Sequence, residues 1–397
     1  MTRRESDCTR TLAAPCGSRQ FPGARRVTIC LGTVSGNVSN IEPQIGAVKG
    51  FLMGNAMNSN TPARVPGIRE VAELAGVGIA SVSRVLSGQP GSSADMTERV
   101  MEAARQLGYR PNFLAQGLRR RATRSIGFVV SDITNPLVAS IVSGAESVLT
   151  AAGFSVLLTN SGGVAELDAQ RIEVLSQRQV DGFIILPALE DDTATLASLR
   201  SIQSPVVAID RALPKDLNIN YVLSDHYKGM RQAAQHLLAS GHRRIGLVVG
   251  PDVRPSRERI RAVMNASRSL RLEKNVLVDS GTLSAEHGEV AMERFLKGKE
   301  RRTAVILGGN QLLEGALSVV RRRNIRLAKD VSLVSCDDVP LSRLYDPPIA
   351  TVMRDTQLLG REAAQILLEQ IKSPHDAHTI VLPTWFEPRG SCSSPET

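Results

Sequence analysis

The sequence predicts an α/β protein in which a small helical head precedes a larger body of parallel β-strands covered on both faces by helices. Three observations carry that expectation. From Ser125 onward, apolar runs of four to six residues alternate with amphipathic stretches; strands that are apolar on both faces and separated by helices belong to parallel sheets buried on two sides. Between Ile68 and Leu107 the apolar residues instead recur at helical spacing, in short punctuated segments. The third observation is charge. Residues 1–123 hold 16 Lys and Arg against 8 Asp and Glu, so they carry nearly all of the net charge of +9. A basic module joined to a near-neutral body points to a polyanionic partner for the module.

Composition sets the bounds. A chain of 397 residues, 42% of them hydrophobic, is long enough for two or three domains with cores of their own. Its five cysteines, Cys8, Cys16, Cys30, Cys336 and Cys392, are odd in number and form no C-x-x-C pair. That predicts neither a disulfide framework nor a zinc site, fits a reducing cytoplasm, and leaves no cofactor or metal expected. No apolar run approaches the ~20 residues of a membrane span. The run from Val27 to Val34 is short and broken by Gly32, so the chain reads as soluble and unexported. Residues 1–64 are rich in Gly, Ser, Asn and Pro without periodicity, the pattern of a disordered extension; a translation start at Met53 or Met57 is the alternative.

The segment IREVAELAGVGIASVSRVL, Ile68 to Leu86, has the spacing of a helix-turn-helix. Two short helices that cross steeply need a small residue where they touch, here Ala72, and a turn residue free to take positive φ, here Gly76. Ile68, Val71, Ala75, Val77, Val82 and Val85 form the shared core. The second helix, Ile79 to Leu86, is then the one that lies in a major groove, and its outward side carries Ile79, Ala80, Ser81, Ser83 and Arg84. Arg84 has the fork to bond guanine O6 and N7, Ile79 and Ala80 can meet thymine methyls, and Ser81 and Ser83 suit phosphates. A third helix, about Met96 to Leu107, opens after Ser92, Ser93 and Asp95, which can cap it. It adds Val100, Ala104 and Leu107 to the core and ends at Gly108, with Pro111 beyond. Taken alone, an ordinary helical hairpin with well-placed Ala and Gly is the competing reading.

In the body, the β-rich runs are RSIGFVVSD, FSVLLTN, VDGFIILP, PVVAID, RRIGLVVG, TAVILGG and VSLVSCDD. Between them lie stretches of helical period such as Ile141 to Ala152, Ala169 to Arg178 and Gly229 to Ser240. Ligands of such sheets bind outside the carboxyl ends of the strands. Here those ends carry Ser131, Asp132 and Asn135 after the first run, Asp210 and Arg211 after the fourth, and Asp337 and Asp338 after the seventh. An enzyme is the competing class for this body, yet the chain has no G-x-G-x-x-G after the first strand, no Walker loop, no G-x-S-x-G and no metal-ligand His pair. His226, His236 and His242 read as structural.

What joins head to body makes the pattern specific. The chain resembles the lactose/galactose repressor (LacI) family through residues 66–392. The matching stretches are VAELAGVGIASVSRVL, YRPNFLAQGL, IGFVVSDITNP, DHYKGMRQAAQHLLASGHRRIGLVVGP, RERI, VSLVSCDD, PPIATV and LPTWFEPRGSC, spaced in one order. The resemblance implies a DNA-binding head at 66–111, a hinge helix at 112–123 and a core at 124–392 like that of periplasmic sugar-binding proteins. Its first subdomain is expected at about 124–223 and 354–383, its second at about 224–353 and 384–392. It further implies that the hinge folds on operator DNA, with Asn112, Ala115, Leu118 and Arg119 at the DNA and Leu118 wedged into the minor groove. Leu118 is also an apolar residue with no apolar neighbours downstream, followed by Arg119, Arg120 and Arg121; a solvated basic linker is the bland alternative.

For the core, the resemblance implies a small-molecule effector, a sugar or sugar acid, held by Arg259, Asp337 and Asp210, with Ser131, Asp132, Asn135, Arg211 and Arg354 nearby. The chain departs from the family pattern in three places. Gly309 and Asn310 stand where Asn-Asp is common, Leu283 stands where some members stack an aromatic on the ligand, and Ala262 and Val263 follow RERI in place of Gly-Phe. With aromatics at 3% of residues a stacking platform is lacking, and three arginines in one cleft favour an anionic ligand. The predicted function is therefore a DNA-binding repressor, dimeric on a palindromic operator and tuned by an effector; no leucine heptads follow Cys392 to make a tetramer. A solute-binding protein without DNA activity is the other class the body allows, and the head and hinge argue against it.

Overall fold

The computed structural model describes residues 66–87, 90–109 and 122–395. The expected hinge residues Asn112, Ala115, Leu118 and Arg119 and the N-terminal 1–64 stretch lie outside them. In the head, α1 (Ile68–Ala75), α2 (Ile79–Leu86) and α3 (Ala94–Gln106) enclose one small core. Val71, Ala72, Ala75, Val82, Val85, Val100, Ala103 and Ala104 are buried in it, with Ile68, Val77, Leu107 and Tyr109 packed around them. Gly76 ends α1 at φ 64°, in the left-handed region where a Cβ costs energy. The Arg99 side chain of α3 donates to the carbonyl of Ala75, 3.2 Å away, so one exposed helix-end acceptor is met by the third helix. Ser93 caps α3, its hydroxyl accepting from the Met96 amide at 3.2 Å. Of the three residues expected to cap, Ser93 is therefore the one that does.

The body is built from two six-stranded sheets. The first holds β1 (Ser125–Val130), β2 (Ser155–Asn160), β3 (Gly182–Leu186), β4 (Val206–Ile209), β5 (Asn220–Ser224) and β11 (Thr379–Leu382), in the order β11-β5-β4-β3-β1-β2. The second holds β6 (Ile245–Val249), β7 (Val276–Ser280), β8 (Ala304–Leu307), β9 (Ser332–Cys336), β10 (Ala350–Arg354) and β12 (Thr384–Glu387), in the order β12-β10-β9-β8-β6-β7. The chain changes sheets after β5, after β10 and between β11 and β12. The expectation of parallel pairing holds with one correction: β12 runs antiparallel to β10, with Arg354 opposite Thr384. A connection of one residue, Pro383, from β11 to β12 explains it, because so short a link across two sheets leaves no room for a crossover helix.

Five strands, β5, β7, β10, β11 and β12, lie outside the seven apolar runs. β7, β11 and β12 are sheet edges with partly exposed residues, and β5 alternates buried with half-buried residues. A search for continuous apolar runs finds strands buried on both faces and passes over these.

Helices cover each sheet on both sides. On the first, α4 (Pro136–Ala151) and α11 (Thr356–Lys372) bury Ile126, Phe128 and Val130 on one face. On the other, α5 (Ala165–Gln177) and α6 (Thr193–Ser201) cover Val129 and Phe183. The second sheet repeats the arrangement. There α7 (His226–Ala239) and α8 (Arg254–Arg268) bury Ile245, Leu247 and Val249, while α9 (Ala285–Phe295) and α10 (Gln311–Arg322) cover Val248. Between α4 and α11, Gly144 and Gly360 let the two backbones approach to a distance at which any Cβ would strike the opposite helix.

Candidate functional site

The carboxyl ends of the two sheets meet at a cavity of about 110 Å³. Ser131, Asp132 and Asn135 reach it from the turn after β1, Asp210 and Arg211 from the turn after β4, Arg259 from α8, Asp337 from the turn after β9 and Arg354 from the end of β10. All eight residues expected at an effector site thus line one cavity. His226, at the start of α7, lines it too and touches both Asp210 and Arg259. His226, which the sequence reads as structural, is thus also a wall of the cavity.

The two aspartates occupy matching places. Asp210 follows β4 and Asp337 follows β9, each the third strand from the same end of its sheet. Each has φ in the left-handed region, 51° and 69°. Each amide donates across to the next strand, Asp210 to Val222 O at 3.0 Å and Asp337 to Val352 O at 2.9 Å. Aspartate is among the few side chains that tolerate this conformation, and such backbone strain concentrates at functional sites.

Arg354 joins the two. Its guanidinium pairs with Asp210 through one terminal nitrogen and with Asp337 through Nε at 2.6 Å. Both carboxylates are 5% exposed and the Arg354 side chain 12%, so this is a buried ion triad spanning both sheets. Asp210 is further held by the Ser224 amide at 2.6 Å and the Ser224 hydroxyl at 3.2 Å. Burial alone would raise the Asp210 pKa; His226 and Arg354 beside it reverse that and hold it well below the usual carboxylate range. Burial pushes His226 the other way, down to about 4, against the pull of Asp210. The imidazole is therefore neutral at pH 7, and Arg354 is the charge that keeps Asp210 ionised there.

Geometry assigns the His226 tautomer. Arg259 Nη2 lies 3.3 Å from His226 Nδ1, and an arginine can only donate, so Nδ1 accepts and the proton sits on Nε2, 3.4 Å from Asp210 Oδ1. Arg259 also donates from Nη1 to Gly308 O at 2.6 Å. Arg259 is buried. Asp338, the neighbour of Asp337, turns away and pairs with Arg389 at 2.8 Å and with the Ser342 hydroxyl. Leu283, in place of an aromatic, lies over Gly250 and Gly309, where a Cβ on either would crowd it.

Polar contacts close the cavity between the sheets. Asn135 caps α4 and also accepts from Asn310 Nδ2 at 3.1 Å, while Gln311 Nε2 donates to Asp132 at 2.7 Å. On another side Glu190, from the loop after β3, accepts from the Arg254 amide at 2.8 Å and pairs with Arg257. Sequence reasoning did not find Glu190, Asn310 or Gln311 as closing groups, because each matters only through a residue far away in the chain.

The head presents its second helix as expected. Ile79, Ala80 and Arg84 are exposed, and Ser81 and Ser83 are half-buried beside them. Ile79 is 43% exposed. No ion pair engages Arg84 among the described residues.

Known proteins share both parts. Residues 67–112 match the domain described as bacterial regulatory proteins, lacI family, and residues 234–392 match the periplasmic binding protein-like domain. The HTH-type transcriptional repressor PurR of Haemophilus influenzae is 31% identical over 309 residues, which is 77% of this chain and 90% of that protein. The lac repressor dimer bound to operator and the anti-inducer ONPF superposes with a TM-score of 0.74 at 27% identity, over 83% of this chain and 99% of that one. The regulator CelR in complex with cellobiose superposes with a TM-score of 0.62 at 31% identity, over 82% of this chain and 99% of that one. With the helix-turn-helix head, the two-sheet body and their order along the chain all matched, the protein belongs to the lacI family of bacterial regulatory proteins.

Proposed function

We propose that this chain is a sequence-specific repressor which grips a palindromic operator as a homodimer and changes its grip when a small molecule, a sugar or sugar acid, occupies the cavity between the sheets. It is a DNA-binding regulator and not an enzyme, as are the repressors it resembles. Helix α2 enters the major groove with Arg84 reading guanine, Ile79 and Ala80 meeting thymine methyls, and Ser81 and Ser83 on phosphates. Asn112, Ala115, Leu118 and Arg119 form the hinge at the minor groove. In the core, Arg259, Asp337 and Asp210 contact the effector, with Ser131, Asp132, Asn135, Arg211 and Arg354 around it. The head spans 66–111, the hinge 112–123 and the core 124–392. The protein works in the cytoplasm, on the nucleoid; among the described residues no helix is long and apolar enough to cross a membrane.

The observation that carries this reading is the closure of the cavity by bonds between the two halves of the body: Asn135 to Asn310, Asp132 to Gln311, Glu190 to α8 and Asp210 to Arg354. A ligand that changes how those bonds are satisfied favours one arrangement of the halves over another, and only such a difference shifts a linked DNA equilibrium. CelR bound to cellobiose and the lac repressor bound to operator with an anti-inducer are relatives whose ligands and DNA support the same division of labour. The test is selection of bound genomic fragments by the full chain, then operator affinity with and without candidate ligands. A shared palindrome and a ligand-dependent change of about 5–150-fold are expected. Fragments with no common palindrome, or an affinity indifferent to every cavity ligand, would refute it.

A further inference from the structure

The cavity is not balanced for a neutral polyol. Hydroxyl-rich ligands need acceptors, and each carboxylate facing this cavity already accepts from protein donors, which leaves only part of its acceptor capacity to a ligand. Asp210 takes Ser224 and Arg354, Asp337 takes Arg354 through both oxygens, and Asp132 takes Thr134 on one oxygen and Gln311 on the other. Donors, by contrast, are in surplus. Arg259 uses Nη1 on Gly308 O and Nη2 on His226, which leaves Nε and further N–H groups without a partner. Arg211 uses Nε on Pro187 O and Nη1 on Asp210 O, and leaves Nη2. Neither arginine has a carboxylate within ion-pair distance among the described residues, whereas Arg354 has two. His226 offers no charge of its own and spends its one acceptor on Arg259.

We infer that the effector is a small oxyanion-bearing polyol, its carboxylate or phosphate seated on Arg259 and Arg211, and that Arg354 is reserved for holding the two aspartates. This rests on the reading of the cavity as the effector site and names the class of molecule that site takes. A buried guanidinium without an anionic partner is costly, and an incoming oxyanion supplies both the charge and the two-pronged acceptor that its planar fork matches. Burial lowers the Arg211 pKa in spite of Asp210, Glu190 and Asp168 around it, so desolvation disfavours its charged form where it stands. Leu283 leaves the opposite wall without a ring to stack on a sugar face, which removes the other common means of holding a neutral sugar.

Isothermal titration of the full chain against matched sets separates the cases: pentoses and hexoses, their aldonic and uronic acids, and their phosphates. At least one acid is expected to bind ten times or more tightly than its neutral parent, with its affinity falling at least tenfold in Arg259→Gln and less in Arg259→Lys. A phosphate that outcompetes the corresponding acid keeps the oxyanion and changes its source. The inference is overturned if a neutral sugar binds as tightly as its acid, if no acid or phosphate of the panel binds, or if Arg259→Gln binds the acid as the parent does. The first comparison needs only the parent protein, so a variant that fails to fold does not spare the idea. A neutral sugar that binds and alters operator affinity removes this inference and leaves the repressor reading standing; an acid that binds without altering operator affinity does the reverse.

Discussion

Replacing Arg354 by Gln tests the buried triad directly. The substitution keeps much of the side chain's volume and some donor capacity, but removes the only charge within ion-pair distance of both Asp210 and Asp337 among the described residues. Removing one partner from a buried ion pair costs about 3–5 kcal/mol, because the carboxylates remain buried without compensation. For a body of this size that corresponds to a melting temperature lower by roughly 6–20 °C at pH 7. The pH dependence gives a second reading. In the parent, the Asp210 pKa is depressed, so its contribution is present above the unfolded value near 4 and fades only as pH falls through the folded one. In Arg354→Gln, burial raises the carboxylate pKa above the unfolded value, so the penalty is present at neutral pH and is relieved as pH falls through that raised value. The gap between variant and parent should therefore narrow from pH 7 toward pH 4. Adding Asp210→Asn to Arg354→Gln should recover part of the loss, since the pair then interacts non-additively. A variant that melts within a degree or two of the parent at pH 7, or a gap that widens in acid, would refute the assignment of Arg354 as the charge that holds the two halves together.

Three further outcomes follow from named groups. Arg84→Ala should weaken operator binding by about 1–3 kcal/mol and relax preference at one base position per half-site; uniform weakening across all sequences in a binding selection would make Arg84 a phosphate contact instead. Leu118→Ala should reduce operator bending and specific affinity while electrostatic non-specific binding persists, and an unchanged bend angle in a circular-permutation gel would exclude the wedge. Burial lowers the His226 pKa from 6.5 to about 4, so the folded state prefers the neutral ring: its contribution is complete above about pH 6.5 and is lost as pH falls toward 4, up to about 3 kcal/mol. Thermal denaturation of His226→Gln should show a shallower loss over that window than the parent, and parallel curves would show that His226 does not titrate there.

The parts of this molecule legible in the sequence are those whose signal is local. The turn of the head was legible because Gly76 must take positive φ and the flanking apolar residues repeat at helical spacing. The central strands were legible because burial on both faces demands unbroken apolar runs, as in Phe183 to Leu186 and Ala304 to Leu307. Edge strands such as β7 and β12 lack that demand and were missed. The strand-end rule brought Ser131, Asp132, Asp210, Arg211 and Asp337 to the right end of the sheets, while Arg259 and Arg354 came only from the resemblance. What sequence could not supply is who pairs with whom. Asp210 and Arg354 are 144 positions apart, and Asp132 and Gln311 are 179 apart; neither separation leaves a trace in spacing or composition.

The equivalence of the two halves explains why the pairing takes the form it does. The sheets share one strand order, so the turn after β4 and the turn after β9 occupy the same place in each. Both are filled by an aspartate with left-handed backbone whose amide donates to the neighbouring strand. The strands next to them, β5 and β10, end in Ser224 and Arg354. Two identical ends facing each other would set carboxylate against carboxylate across the cavity, a repulsive arrangement that neither half can relieve alone. The difference between Ser224 and Arg354 resolves it: the serine holds Asp210 within its own half, and the arginine reaches from the other half to pair with both aspartates. One asymmetric residue thereby turns a like-charge conflict into the bond that closes the cavity. A ligand that alters the Arg354 contacts acts on both halves at once, which is the physical requirement for a signal to leave this site.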